Sequence, residues 1–77
     1  MFNVFGFYKF KKLNSLKKNK IILQSYLKKL NLRGTIIISK EGLNGSIAGK
    51  TKSLSIIKKK IKNLLKVENF DSENISK

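Results

Sequence analysis

Glu41-Gly42-Leu43-Asn44-Gly45-Ser46-Ile47-Ala48-Gly49 sets three glycines, a carboxylate and a carboxamide within nine positions of a chain that has only five glycines and no proline. The Asn44-Gly45 pair after a β-rich run is a hairpin signal, because both residues tolerate the positive φ of a tight turn. Gly42, Gly45 and Gly49 suit positive φ or close backbone approach. Glu41 is the one acid in a basic region; it can bond turn amides, pair with Lys40 or Arg33, or face a neighbouring domain. Asn44 can close the turn or contact RNA or another domain directly. The other carboxylates, Glu68, Asp71 and Glu73, lie in the last ten residues. The chain has no His and no Cys. It therefore lacks the usual general base, a thiol nucleophile and the commonest metal ligands. No triad, metal cluster or carboxylate pair can be assembled, so catalysis within the chain, a metal site and a cofactor are not expected.

The remaining chemistry is cationic. Eighteen Lys and Arg against four acids give a net charge of +14. Such a field favours polyanions, either nucleic acid or an anionic membrane. Candidate phosphate contacts are Arg33, Lys40, Lys50, Lys52, Lys59, Lys62 and Lys66. Phosphate contact supplies affinity without sequence information and fades with salt. All but one of the basic residues are Lys. That bias speaks against guanine reading, which is mostly an Arg role, and AT-rich codon usage would also produce it. No run of 18 apolar residues exists, so no membrane span is expected. The start lacks the basic segment of a signal peptide, and a cytoplasmic location is expected.

These side chains need elements to position them. Residues 3–10 read as a strand, with Val4, Tyr8 and Phe10 on one face and Phe5 and Phe7 on the other. Both faces are apolar, so both should be covered. Residues 15–31 read as a helix capped by Asn14 or Ser15, with Leu16, Leu23, Tyr26, Leu27 and Leu30 as its apolar stripe. Residues 35–40 and 45–49 form the proposed hairpin, with Ile36, Ile38 and Ile47 as core candidates. Residues 53–66 read as a second helix capped by Thr51 or Ser53, its stripe Leu54, Ile57, Ile61, Leu64 and Leu65. After residue 66 the chain turns polar, and only Ile75 could anchor a strand.

The order β-α-β-β-α predicts an α+β, ferredoxin-like (acylphosphatase-like) split βαβ domain spanning 1–77, with its fourth strand truncated or missing. Strand 1 would then be an exposed hydrophobic edge and a route to a dimer. Phe5 and Phe7, placed on the sheet face away from the helices, would pack on a missing strand or domain, or stack on RNA bases.

The run Gly34-Thr35-Ile36-Ile37-Ile38-Ser39-Lys40-Glu41-Gly42-Leu43-Asn44-Gly45-Ser46-Ile47-Ala48-Gly49 resembles the kGTillA-EGiNGtiaG segment of the bacterial rhodanese-domain tRNA uridine hydroxylases. Tyr8-Lys9-Phe10 resembles that family's first strand, and the similarity extends over roughly residues 4–75. It implies an N-terminal acylphosphatase-like domain that precedes a rhodanese-like domain carrying the catalytic cysteine. The implied reaction is oxygen-dependent hydroxylation of the tRNA wobble uridine to 5-hydroxyuridine. The cysteine has no counterpart here, so a truncated or split gene product, or an N-terminal domain expressed on its own, is expected, inactive alone, with tRNA and the C-terminal rhodanese-like domain as partners. Acylphosphatase chemistry would need an anion-cradling loop with an Arg after strand 1; Phe10-Lys11-Lys12-Leu13-Asn14 has neither Gly nor Arg. The alternatives are a free-standing basic RNA-binding module and a peptide whose basic amphipathic helices lie on a membrane surface.

Overall fold

The computed structural model describes residues 2–76 and runs β1 (Asn3–Phe10), α1 (Leu16–Lys29), β2 (Arg33–Ser39), β3 (Gly42–Gly49), α2 (Thr51–Leu65) and β4 (Ser72–Ser76). The strand order is β2-β3-β1-β4, and every neighbouring pair is antiparallel. Both helices lie on one face of the sheet, as the split βαβ pattern requires. Leu23 of α1 and Leu54, Ile57, Ile61 and Leu65 of α2 are buried against Phe5, Phe7, Leu43 and Ile47 of the sheet. Burying side chains of this kind stabilises the fold by about 1.5–3 kcal/mol each. Ile36, Ile38 and the remaining stripe residues Leu16, Tyr26, Leu27, Leu30 and Leu64 pack around this centre, half-buried. Among the described residues, no helix is long and apolar enough to cross a membrane.

The fourth strand is present, contrary to expectation. β4 pairs with β1 from Tyr8↔Ser72 to Val4↔Ser76. All five of its residues are exposed, so backbone hydrogen bonds rather than an apolar pattern hold it, and its Ser-Glu-Asn composition hides it. Anchors just before and within it do the rest. The Phe70 ring meets Phe5 and Phe7 at 5.9 and 5.1 Å. The Asp71 amide donates to the Tyr8 carbonyl, and Glu73 pairs with Lys58 at 2.5 Å. β1 is thus interior, with β3 on one side and β4 on the other. It offers no free edge, and a dimer built on one is excluded.

Asp71 also closes the end of β1. Its carboxylate accepts the Phe10 amide at 2.6 Å and the Lys9 ammonium at 3.2 Å. The Phe10 amide, with Lys9 adding to it, holds the carboxyl below the usual carboxylate range. A folded-state pKa below the unfolded one gives a contribution that is present above about pH 4 and lost as pH falls through the folded value. Asp71→Ala is expected to melt below the parent at pH 7, and the gap is expected to close below about pH 4. Thermal unfolding followed by circular dichroism from neutral to acid pH measures it.

Two local readings are corrected. The hairpin turn is Lys40-Glu41, not Asn44-Gly45, because Ser39 pairs with Gly42 and the ladder runs on through Ile37↔Asn44 and Ile36↔Gly45. The positive φ falls on Gly42, at +152°. Neither helix has a side-chain cap: Ser15 is left-handed at φ 52°, and Lys50, not Thr51 or Ser53, precedes α2.

Candidate nucleic-acid interface

Antiparallel connection puts the ends of β1, β2 and α2 and the starts of β3 and α1 at one end of the domain. The backbone ties that end together, with Lys11 and Leu13 amides donating to the Glu41 and Lys40 carbonyls and the Lys11 ammonium donating to the Lys66 carbonyl. Lys11, Lys12, Lys18 and Lys66 line a cleft of about 550 Å³ beside the start of α1. Lys12 and Lys40 line an adjoining one of about 460 Å³. No acid lies in the first turn of α1, so its unpaired amides add partial positive charge there. This end is concave and, although Glu41, Glu68 and Asp71 also lie on it, it remains net basic.

The seven basic candidates from the sequence do not form one patch. Lys40, in the turn, and Lys66, after α2, belong to this end. Arg33, Lys50 and Lys52 lie at the opposite end, at the start of β2 and of α2. Lys59 is exposed midway along α2. The Lys62 ammonium sits 5.6 Å over the Phe70 ring, where it supports the β4 approach. Lys11, Lys12 and Lys18 were not among the candidates. The signal for Lys11 and Lys12 is a basic pair between the first strand and the first helix, on a loop that must pass the hairpin turn; Lys18 follows in the first turn of α1.

The motif residues divide into packing and display. An added Cβ would strike the Lys9 carbonyl at Gly42 and the Leu32 side chain at Gly49. At Gly45 it would lie 2.6 Å from Phe7 Cζ and 2.8 Å from the Thr35 carbonyl oxygen. These glycines let β1, β2 and β3 close over the aromatic core. Asn44 and Glu41 are exposed. Among the described residues, neither side chain makes a hydrogen bond or ion pair. The pairing of Glu41 with Lys40 or Arg33 is not formed; only its main chain works, donating to Ser39 Oγ and accepting from Lys11.

The sheet face away from the helices also differs from expectation. Phe5 and Phe7 are 1% and 5% exposed, under the helices, with rings stacked 4.9 Å apart. They are closed to RNA or to another domain. Register explains the choice: their cross-strand neighbours are Ile47 and Gly45, whereas Val4, Tyr8 and Phe10 face Ala48, Asn44 and Gly42. Tyr8 and Phe10 therefore stand on the open face, 43% and 75% exposed.

Residues 2–76 match the UPF0176 acylphosphatase-like domain. A tRNA uridine(34) hydroxylase from Pelagibacter ubique (strain HTCC1062) is 65% identical over 77 residues, which is 100% of this chain and 26% of that protein. The chain thus spans about a quarter of the length of that curated relative. Full-length HypF in its phosphate- and nucleotide-bound form matches with a TM-score of 0.70 at 17% identity, over 97% of this chain and 10% of that one. Likeness at that identity reflects a shared fold.

Proposed function

Because the chain belongs to the family of UPF0176 acylphosphatase-like domains, we propose that it is the tRNA-positioning domain of a wobble-uridine hydroxylase. It works in the cytoplasm with a C-terminal rhodanese-like domain, joined to it or supplied in trans. That partner carries the cysteine and performs the oxygen-dependent hydroxylation. The observation that carries this reading is the 65% identity, across the whole chain, to a tRNA uridine(34) hydroxylase. The basic end supports it physically. A sequence-blind cluster of lysines holds a folded RNA by its phosphates and leaves the base to the partner domain. The chain's lack of Cys and His fits a division of labour in which it binds and the partner reacts.

The lysine end gives a direct test. Lys12, Lys18 and Lys40 are exposed, so changing all three to Gln leaves the core untouched. The triple variant is expected to bind tRNA more weakly and to flatten the plot of log K against log salt by about 3, roughly one per lost phosphate contact. The matched variant Lys28→Gln, Lys50→Gln, Lys52→Gln at the opposite end is expected to keep the parent slope. Slopes flattened equally in both triple variants would show a diffuse field instead of a site, and slopes unchanged in both would show that none of these lysines contacts the RNA. The other reading, a free-standing RNA-binding module, predicts the same slopes but no association with a rhodanese-like domain, which a pull-down with that domain separates.

A further inference from the structure

We propose that the cleft at the hairpin end of the open sheet face holds one unstacked nucleotide of an RNA strand, its base against Tyr8 and Phe10. The inference rests on the tRNA-positioning reading and adds a base-contacting site to it. The cleft is about 490 Å³ and is bounded by Tyr8, Phe10, Ser39, Glu41 and Asn44, within the ~300–1,000 Å³ usual for small-ligand sites.

The register builds it. Phe10 pairs with Gly42, which in turn pairs with Ser39. Gly42 lines the cleft between Phe10 and Ser39. The next row along is Tyr8, Asn44 and Ile37. Tyr8 and Phe10 meet edge to face, with centroids 5.5 Å apart and planes at 66°. In that arrangement one ring presents its edge to the other, and a ring face is left free for stacking. Asn44 carries both donor and acceptor, and Glu41 carries acceptors. A base edge needs such groups, and neither is satisfied within the described residues.

Charge selects RNA over a protein segment. Lys40 precedes Glu41 in the turn and also lines the smaller basic cleft with Lys12, so a strand whose base enters here runs its phosphates onto lysines. Away from this corner the open face mixes the polar Thr35, Ser46, Ser72 and Asn74 with the exposed Val4 and Ile37, so Lys40 beside the cleft, and not the polarity of the face, favours RNA.

Fluorescence tests the proposal. The chain has two tyrosines and no Trp, so in a Tyr26→Phe background Tyr8 is the sole emitter. Oligouridylate is expected to quench Tyr8. Phe10→Leu, which keeps apolar bulk but removes the ring, is expected to weaken oligouridylate and tRNA binding about tenfold with the salt slope unchanged. Phe10→Trp is expected to restore it. Unquenched Tyr8 and parental affinity in Phe10→Leu, with the lysine variant still impaired, would overturn this site alone. Loss of tRNA binding in no variant, or no tRNA binding by the parent, would overturn the positioning reading with it. Capture of the rhodanese-like domain by this face, abolished in Phe10→Ala but kept in Phe10→Leu, would assign the cleft to protein docking and overturn the proposal.

Discussion

Phe5→Ala is expected to leave the domain largely unfolded at 37 °C. The ring is 1% exposed, stacks on Phe7 at 4.9 Å and takes the edge of Phe70 at 5.9 Å. The Lys58 ammonium lies 5.7 Å from its centroid. Truncating a buried Phe costs about 3–5 kcal/mol, because lost transfer energy and a cavity add together. A chain of 77 residues has only about 4–12 kcal/mol in total at ordinary per-residue stability. The loss also falls on β4, which is tethered through Phe70 and through Glu73 on Lys58. Urea unfolding read by circular dichroism measures it. A drop below about 1 kcal/mol would mean that the aromatic cluster is not the centre of the core.

Gly45→Val is the second large effect, expected to destabilise by more than the ~1–3 kcal/mol of ordinary overpacking. Two obstacles meet the new Cβ: the Phe7 ring tip at 2.6 Å and the Thr35 carbonyl oxygen at 2.8 Å. The ring is itself stacked on Phe5 and the carbonyl belongs to the β2–β3 ladder, so neither yields cheaply. Asn44→Ala, one residue earlier, is expected to change stability by less than about 0.5 kcal/mol, as exposed positions do, yet to weaken RNA binding. Side-by-side urea titrations and tRNA titrations of the two variants separate the motif's packing half from its display half. Equal destabilisation by both would contradict that division.

The element order was legible because each segment has its own period. β1 begins and ends where the aromatic run does, and the α2 stripe Leu54, Ile57, Ile61, Leu65 is the buried set. What the sequence could not show was decided by pairing. Both faces of β1 are apolar, so alternation alone could not choose the inner one; Ile47 and Leu43 across the ladder did. Asn44-Gly45 carries a turn's residue types, but Gly45 is required by the Phe7 ring and the turn falls two residues before Gly42↔Phe10 closes the sheet. β4 has almost no apolar residue to announce it and is held by Asp71, Phe70 and main-chain bonds. The candidate interface was legible as charge but not as shape. Loop Lys11–Ser15 became part of it only because the hairpin turn bonds to it, whereas Lys50 and Lys52 went to the far end of α2.

Binding of the purified chain to tRNA and to a length-matched single-stranded DNA, each at low and at roughly physiological salt (~0.15 M), separates a shaped RNA site from a diffuse positive field. A shaped lysine cleft predicts a preference for tRNA that survives at the higher salt. Equal binding to both, abolished by that salt, would contradict it and leave the lysines as an unstructured field.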